Sequence, residues 1–140
     1  MTPLEVAAVQ SSFSLVVPIK EKAAEIFYGR LFATDPSLKK LFKGDMKEQG
    51  RKLMSTLALV VTGLANPKSI LPAVEALGAK HVAYGVEDRH YETVGAALLW
   101  TLEQGLGDKF TPDVKAAWTA AYTLLASVMK AAAAKARSAA

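Results

Sequence analysis

The sequence predicts an all-α fold, and three observations predict it. Apolar residues recur with a period near 3.6. Helix starts are marked by a capping residue followed by proline, as in Thr2-Pro3, Asp35-Pro36 and Thr111-Pro112. No apolar–polar alternation of strand length occurs, and no internal repeat is visible.

Each element follows in order. Thr2-Pro3-Leu4-Glu5 is a capping box, and the helix behind it carries Val6, Val9, Phe13, Val16 and Val17 before Pro18 interrupts it. A second helix carries Ala24, Phe27, Tyr28, Leu31 and Phe32, and a short helical turn spans Pro36 to Phe42. A long helix from about Lys47 to Leu64 aligns Leu53, Leu57, Val60 and Leu64. Another, from about Lys68, aligns Leu71, Val74 and Leu77. Gly85 and Glu87-Asp88-Arg89 mark a corner before two long helices, one with Tyr91, Val94, Leu98 and Leu102, the other with Val114 through Met129. That makes about seven helices. The Ala-rich segment 131–140 is a good helix former by propensity and is free to fray.

The chain has the length of one domain, 140 residues, and its 51% hydrophobic and 21% charged composition demands a packed core. No apolar run reaches the ~20 residues that span a bilayer, and no signal peptide opens the chain. Without cysteine there is no disulfide, thiolate metal site or cysteine nucleophile; a cytoplasmic setting suits such a chain. No Gly-rich dinucleotide motif or P-loop is present, and the length leaves no room for a fused reductase. The net charge of +4 reads as a dispersed excess, with one local run (Lys130, Lys135, Arg137) in the tail. This is a soluble surface and no nucleic-acid footprint.

Function is expected where polar residues break an apolar stripe. His81 lies four after Leu77 and seven after Val74; Gln49 lies four before Leu53; Tyr28 lies four after Ala24 and three before Leu31. Each points inward, and buried polar groups need partners. Singly, each has a structural alternative: a hydrogen-bonded core histidine, a buried tyrosine reaching a carbonyl, a helix-capping glutamine. His90, the other histidine, opens a helix after three charged residues, a position typical of solvent or a cap. Two histidines without cysteine or an inward carboxylate make no zinc or di-iron site. One axial imidazole in an apolar helical pocket is what haem iron needs.

These residues resemble those of globins, specifically bacterial single-domain haemoglobins related to the globin part of flavohaemoglobins. The resemblance covers nearly the whole chain. It is carried by Phe27-Tyr28-Gly29-Arg30-Leu31-Phe32, by Leu41-Phe42, and by Gln49 with Leu53. Leu71-Pro72-Ala73-Val74, Lys80-His81, Gly85-Val86, His90-Tyr91 and Val94-Gly95 continue it, and Ala117-Trp118 with Ala121-Tyr122 complete it.

The resemblance implies a three-over-three globin sandwich in a single domain, 1–140, and a haem b cofactor held without covalent attachment. It implies His81 as the proximal iron ligand, Phe42 against the porphyrin face and Leu53 over the ligand site. Leu57, Val86, Val94 and Leu98 become apolar contacts, and Tyr91 sits beside the proximal histidine. In flavohaemoglobins that tyrosine belongs to a His–Tyr–Glu set; the glutamate position falls here on Ala133, a departure that argues against a strongly electron-donating imidazole. Bound O2 carries negative charge on its outer atom, and Tyr28 and Gln49 offer it O–H and N–H donors. The expected function is reversible O2 binding, for storage, delivery or scavenging, with CO and NO as further ligands. Nitric oxide dioxygenation is an added activity that needs a separate reductase. A gas sensor acting through a partner protein and a haem-free helical interaction module are the competing readings.

Overall fold

The computed structural model describes residues 1–42 and 44–139 of the protein. Its regular elements are six α-helices joined in part by short 3-10 segments: α1 (Pro3–Val16), α2 (Lys20–Thr34), α3 (Met46–Gly63), α4 (Pro67–Ala83), α5 (Asp88–Leu106) and α6 (Pro112–Ala139). Of the seven or so helices expected, the short one at Pro36–Leu41 is a 3-10 segment, and Phe42 follows it in extended conformation. None of the described helices is long and apolar enough to cross a membrane.

The starts obey the capping chemistry in the sequence. Thr2 Oγ1 accepts from the Glu5 amide at 3.1 Å while Glu5 returns a carboxylate oxygen to the Thr2 amide at 2.9 Å. Such a cap contributes about 1 kcal/mol. Asp35 accepts from the Ser37 amide, Asp45 from the Lys47 amide at 2.9 Å, and Thr111 from the Val114 amide. Asn66 stands at the start of α4 without a side-chain bond, so there the proline at the first helical position acts alone. Pro18 ends α1 in a 3-10 turn over Val17–Ile19.

The core is one apolar cluster in which α4 and α1 pack on α6, and α2 packs on α5 and α3. Trp118 of α6 and Ser12 of α1 tie its far side: the indole donates to Ser12 Oγ at 2.8 Å, and that hydroxyl donates on to the Ala8 carbonyl at 2.7 Å. Both polar groups are buried and both are satisfied. Leu71, expected on the inward stripe of α4, is exposed, because the side chains of α4 that face α6 are those around Val74 and Gly78.

Two helix crossings are unusually close. A Cβ on Gly78 would lie 2.5 Å from the Met129 carbonyl oxygen, so α4 rests on the backbone of α6. A Cβ on Gly50 would lie 3.0 Å from the Ala24 methyl, bringing α3 down onto α2.

The Ala-rich C-terminal segment is helical among the described residues. It continues α6 to Ala139, with Ala133 buried to 1% exposure. Arg137 donates to the Val86 carbonyl at 3.1 Å and meets Asp88 at 3.3 Å, which pins the end of α6 to the corner between α4 and α5.

Candidate functional site

The last turn of α4 sets the orientation of His81. Its Nδ1 lies 2.7 Å from the Leu77 carbonyl one turn earlier. A carbonyl only accepts, so Nδ1 carries the proton and Nε2 keeps its lone pair. The ring is half-buried, and burial pulls its pKa below the usual histidine value, with the Leu77 bond opposing; the neutral imidazole is favoured. A neutral ring fixed through one nitrogen and open at the other is the donor set an iron porphyrin requires.

His90 holds the opposite tautomer. The Glu87 amide donates to its Nδ1 at 2.9 Å, so that nitrogen is an acceptor and Nε2 bears the proton, 3.9 Å from a Glu87 carboxylate oxygen. The ring is 5% exposed, a buried cap and not the solvent residue that the neighbouring charges suggest. Its hydrogen bonding leaves no lone pair for a metal.

Tyr28 of α2 and Gln49 of α3 meet at the close crossing of their helices. Tyr28 is 8% exposed. Burial pushes its phenol up to about 12, and hydrogen bonding from the Gln49 side chain partly offsets this. The phenol therefore keeps its proton and remains a donor. Around it stand Phe42, edge-on at 5.4 Å between centroids, Phe27, edge-on at 5.0 Å, and Phe32, stacked at 5.9 Å. Phe32 was legible only as a core residue; its spacing of four from Tyr28 was the available signal of this contact.

Phe42, Leu53, Leu57, Val86 and Val94 are half-buried and packed on the core, while Leu98 is fully buried. Leu53, Leu57 and Leu98 border a small apolar cavity with Phe27, Met54 and Trp118, and a second cavity continues behind Leu57 and Leu98. Neither is lined by His81, Tyr28 or Gln49.

Tyr91 is 6% exposed, and its hydroxyl is a buried polar atom without a partner. Tyr122 donates to its carbonyl at 2.6 Å, and the Lys130 ammonium lies 5.6 Å from its ring. The ring of exposed Tyr84 lies tilted beside His81, 5.7 Å between centroids, a contact the sequence reading missed because Tyr84 ends the helix outside any stripe.

A match to the Globin family covers residues 25–129. The chain is a globin. This globin is 32% identical over 131 residues to a flavohemoprotein of Vibrio cholerae, a match covering 91% of this chain and 33% of that protein. It is 32% identical over 117 residues to a flavohemoprotein of Rhodopirellula baltica, covering 81% and 29%. The globin thus spans about a third of the length of these relatives. Among solved structures, an engineered carbene transferase described as a putative nitric oxide dioxygenase from Rhodothermus marinus superposes with a TM-score of 0.90. That match covers 99% of this chain and 97% of the other at 23% identity. The fold is the expected globin fold, and membership implies haem binding.

Proposed function

We propose that this globin is a single domain, 1–140, that binds O2 reversibly on a noncovalent haem b, for storage, delivery or scavenging. The observation that carries the reading is the His81 side chain: neutral, aimed by its Nδ1 bond to Leu77, and free at Nε2. When bound, the haem would supply an iron atom able to take up a diatomic gas. His81 Nε2 would hold that iron. Phe42, Val86, Val94 and Leu98 would enclose the macrocycle, with Leu53 and Leu57 keeping water from the gas.

Tyr28 and Gln49 would donate hydrogen bonds to the gas. Charge-assisted bonds of this kind contribute about 1.5–3 kcal/mol each, which favours polarised O2 over CO. By the family resemblance Tyr91 would stand beside His81, and with Ala133 at the position of the flavohaemoglobin glutamate no carboxylate there would draw the imidazole proton away from Leu77. The proximal side therefore fits O2 retention better than peroxide chemistry.

The absorbance spectrum of the purified protein tests this reading. A Soret band that shifts with dithionite and again with O2 or CO is expected; its absence would favour the haem-free interaction module. A second reading, nitric oxide dioxygenation, is favoured by the likeness to flavohemoproteins and to a putative nitric oxide dioxygenase. It predicts stoichiometric nitrate when NO meets the oxygenated protein, and turnover only with an electron donor.

A further inference from the structure

The positive charge of the molecule has an address. Of the 17 Lys and Arg and 13 Asp and Glu in the chain, residues 39–52 hold six and two, which leaves eleven of each elsewhere. The whole excess of +4 therefore sits on the segment that leads into α3, and the dispersed distribution read from the sequence is corrected.

Within that segment, Lys39 and Lys40 are exposed at the end of the 3-10 turn, and Lys47, Arg51 and Lys52 are exposed on the outer side of the first turns of α3. The two carboxylates are occupied: Asp45 caps α3 through the Lys47 amide, and Glu48 pairs with Arg51 at 2.9 Å. Among the described residues no carboxylate pairs with Lys39, Lys40, Lys47 or Lys52. Of these cations only Lys47 lies in the first turn of α3, where the helix dipole disfavours positive charge, while Lys39 and Lys40 end the 3-10 turn.

The same segment carries Phe42 and Gln49. An anionic partner held on these cations comes to rest beside the proposed haem site. We propose that Lys39, Lys40, Lys47, Arg51 and Lys52 form the docking face for an acidic electron-transfer flavoprotein. This rests on the haem reading above. One electron passes from the reduced flavin of the partner to the ferric globin, so the partner is oxidised by one electron and the globin returns to its ferrous form. Charge steering of this kind raises association rates and weakens steeply with salt.

The test uses the ferric holoprotein and flavodoxin, a small acidic FMN protein, with binding measured by isothermal titration at 20 and 200 mM NaCl. The tenfold rise in salt should weaken binding about 10-fold or more. The triple variant Lys40→Glu, Lys47→Glu, Lys52→Glu should weaken low-salt binding by at least about 10-fold, whereas Lys68→Glu, Lys109→Glu, Lys115→Glu, of identical net charge, should leave it within about 2-fold. Equal loss in both triples, or no binding by the native protein, overturns the docking face. Stronger binding to phosphatidylserine vesicles or to duplex DNA than to flavodoxin, abolished by the first triple, would assign the face to a membrane or a nucleic acid and overturn it as well. The haem reading fails separately, through a missing Soret band, while these binding differences stay measurable.

Discussion

The two sides of the candidate pocket are held in place by different means. On the His81 side, orientation comes from one bond within a helix, Nδ1 to the Leu77 carbonyl, and α4 as a whole is seated on α6 where Gly78 meets the Met129 backbone. On the Tyr28 side, the polar pair is assembled from two helices that approach closely where Gly50 of α3 faces Ala24 of α2. The His81 ring is set by local geometry on a close helix contact; the Tyr28–Gln49 pair depends on a helix crossing. Substitutions near His81 should therefore act on haem retention, and those near Gly50 on the fate of the gas.

The largest expected effect removes the local anchor. His81→Gly should abolish stable haem retention, with partial recovery in added imidazole, whereas His90→Ala should keep a normal spectrum and lose only cap stability, about 1 kcal/mol. Loss of the spectrum in both would mean that the opposite tautomers do not separate ligand from cap. Next come the two crossings. Gly78→Ala places a methyl against backbone, which cannot yield without moving a helix. It should cost about 1–3 kcal/mol in denaturant unfolding and speed haem transfer to apomyoglobin severalfold. Gly50→Ala meets only the Ala24 methyl. It should cost less and alter O2 dissociation more than haem loss; the reverse pattern would collapse the distinction between the two sides.

Tyr28→Phe should speed O2 dissociation about 10-fold while leaving CO dissociation nearly unchanged, with Gln49→Leu weaker and the double variant less than additive. Stopped-flow traces decide it, and an unchanged O2 rate would deny the phenol its role. The smallest effect is alkaline. A phenol near 10 when unfolded and near 12 when folded contributes stability that is complete below pH 10 and is lost as pH rises toward 12. Unfolding free energy should decline across that window, and Tyr28→Phe should flatten part of the decline, with half-buried Tyr122 and buried Tyr91, whose phenols burial also pushes up, supplying the remainder.

Tyr28, Gln49 and His81 were legible in the sequence because a polar residue at helical spacing interrupts an apolar stripe. The helix starts were legible because caps and prolines act within four residues. Gly50 and Gly78 were not, since a missing side chain leaves no mark on a hydrophobic pattern; only the opposing helix reveals why it is missing. The buried state of His90 was hidden by its charged neighbours, because a bond from the Glu87 amide depends on the corner and not on composition. The Ala-rich tail was open by propensity alone. What fixes it is distant in sequence: Ala133 is buried in the core, and Arg137 reaches the Val86 carbonyl.

That reach across the chain also sets an order of events during synthesis. Val86 returns its amide to the His81 carbonyl at 2.9 Å, and Arg137 holds the Val86 carbonyl, so the corner that follows His81 is closed by residues made some fifty positions later. At about 5–20 residues per second, α4 waits several seconds for α6 to be synthesised. The Tyr28–Gln49 side, built from α2 and α3, has both of its helices well before then. A nascent chain thus has both helices of the Tyr28–Gln49 crossing first, and closes the corner after His81 only once the end of α6 can pack against it.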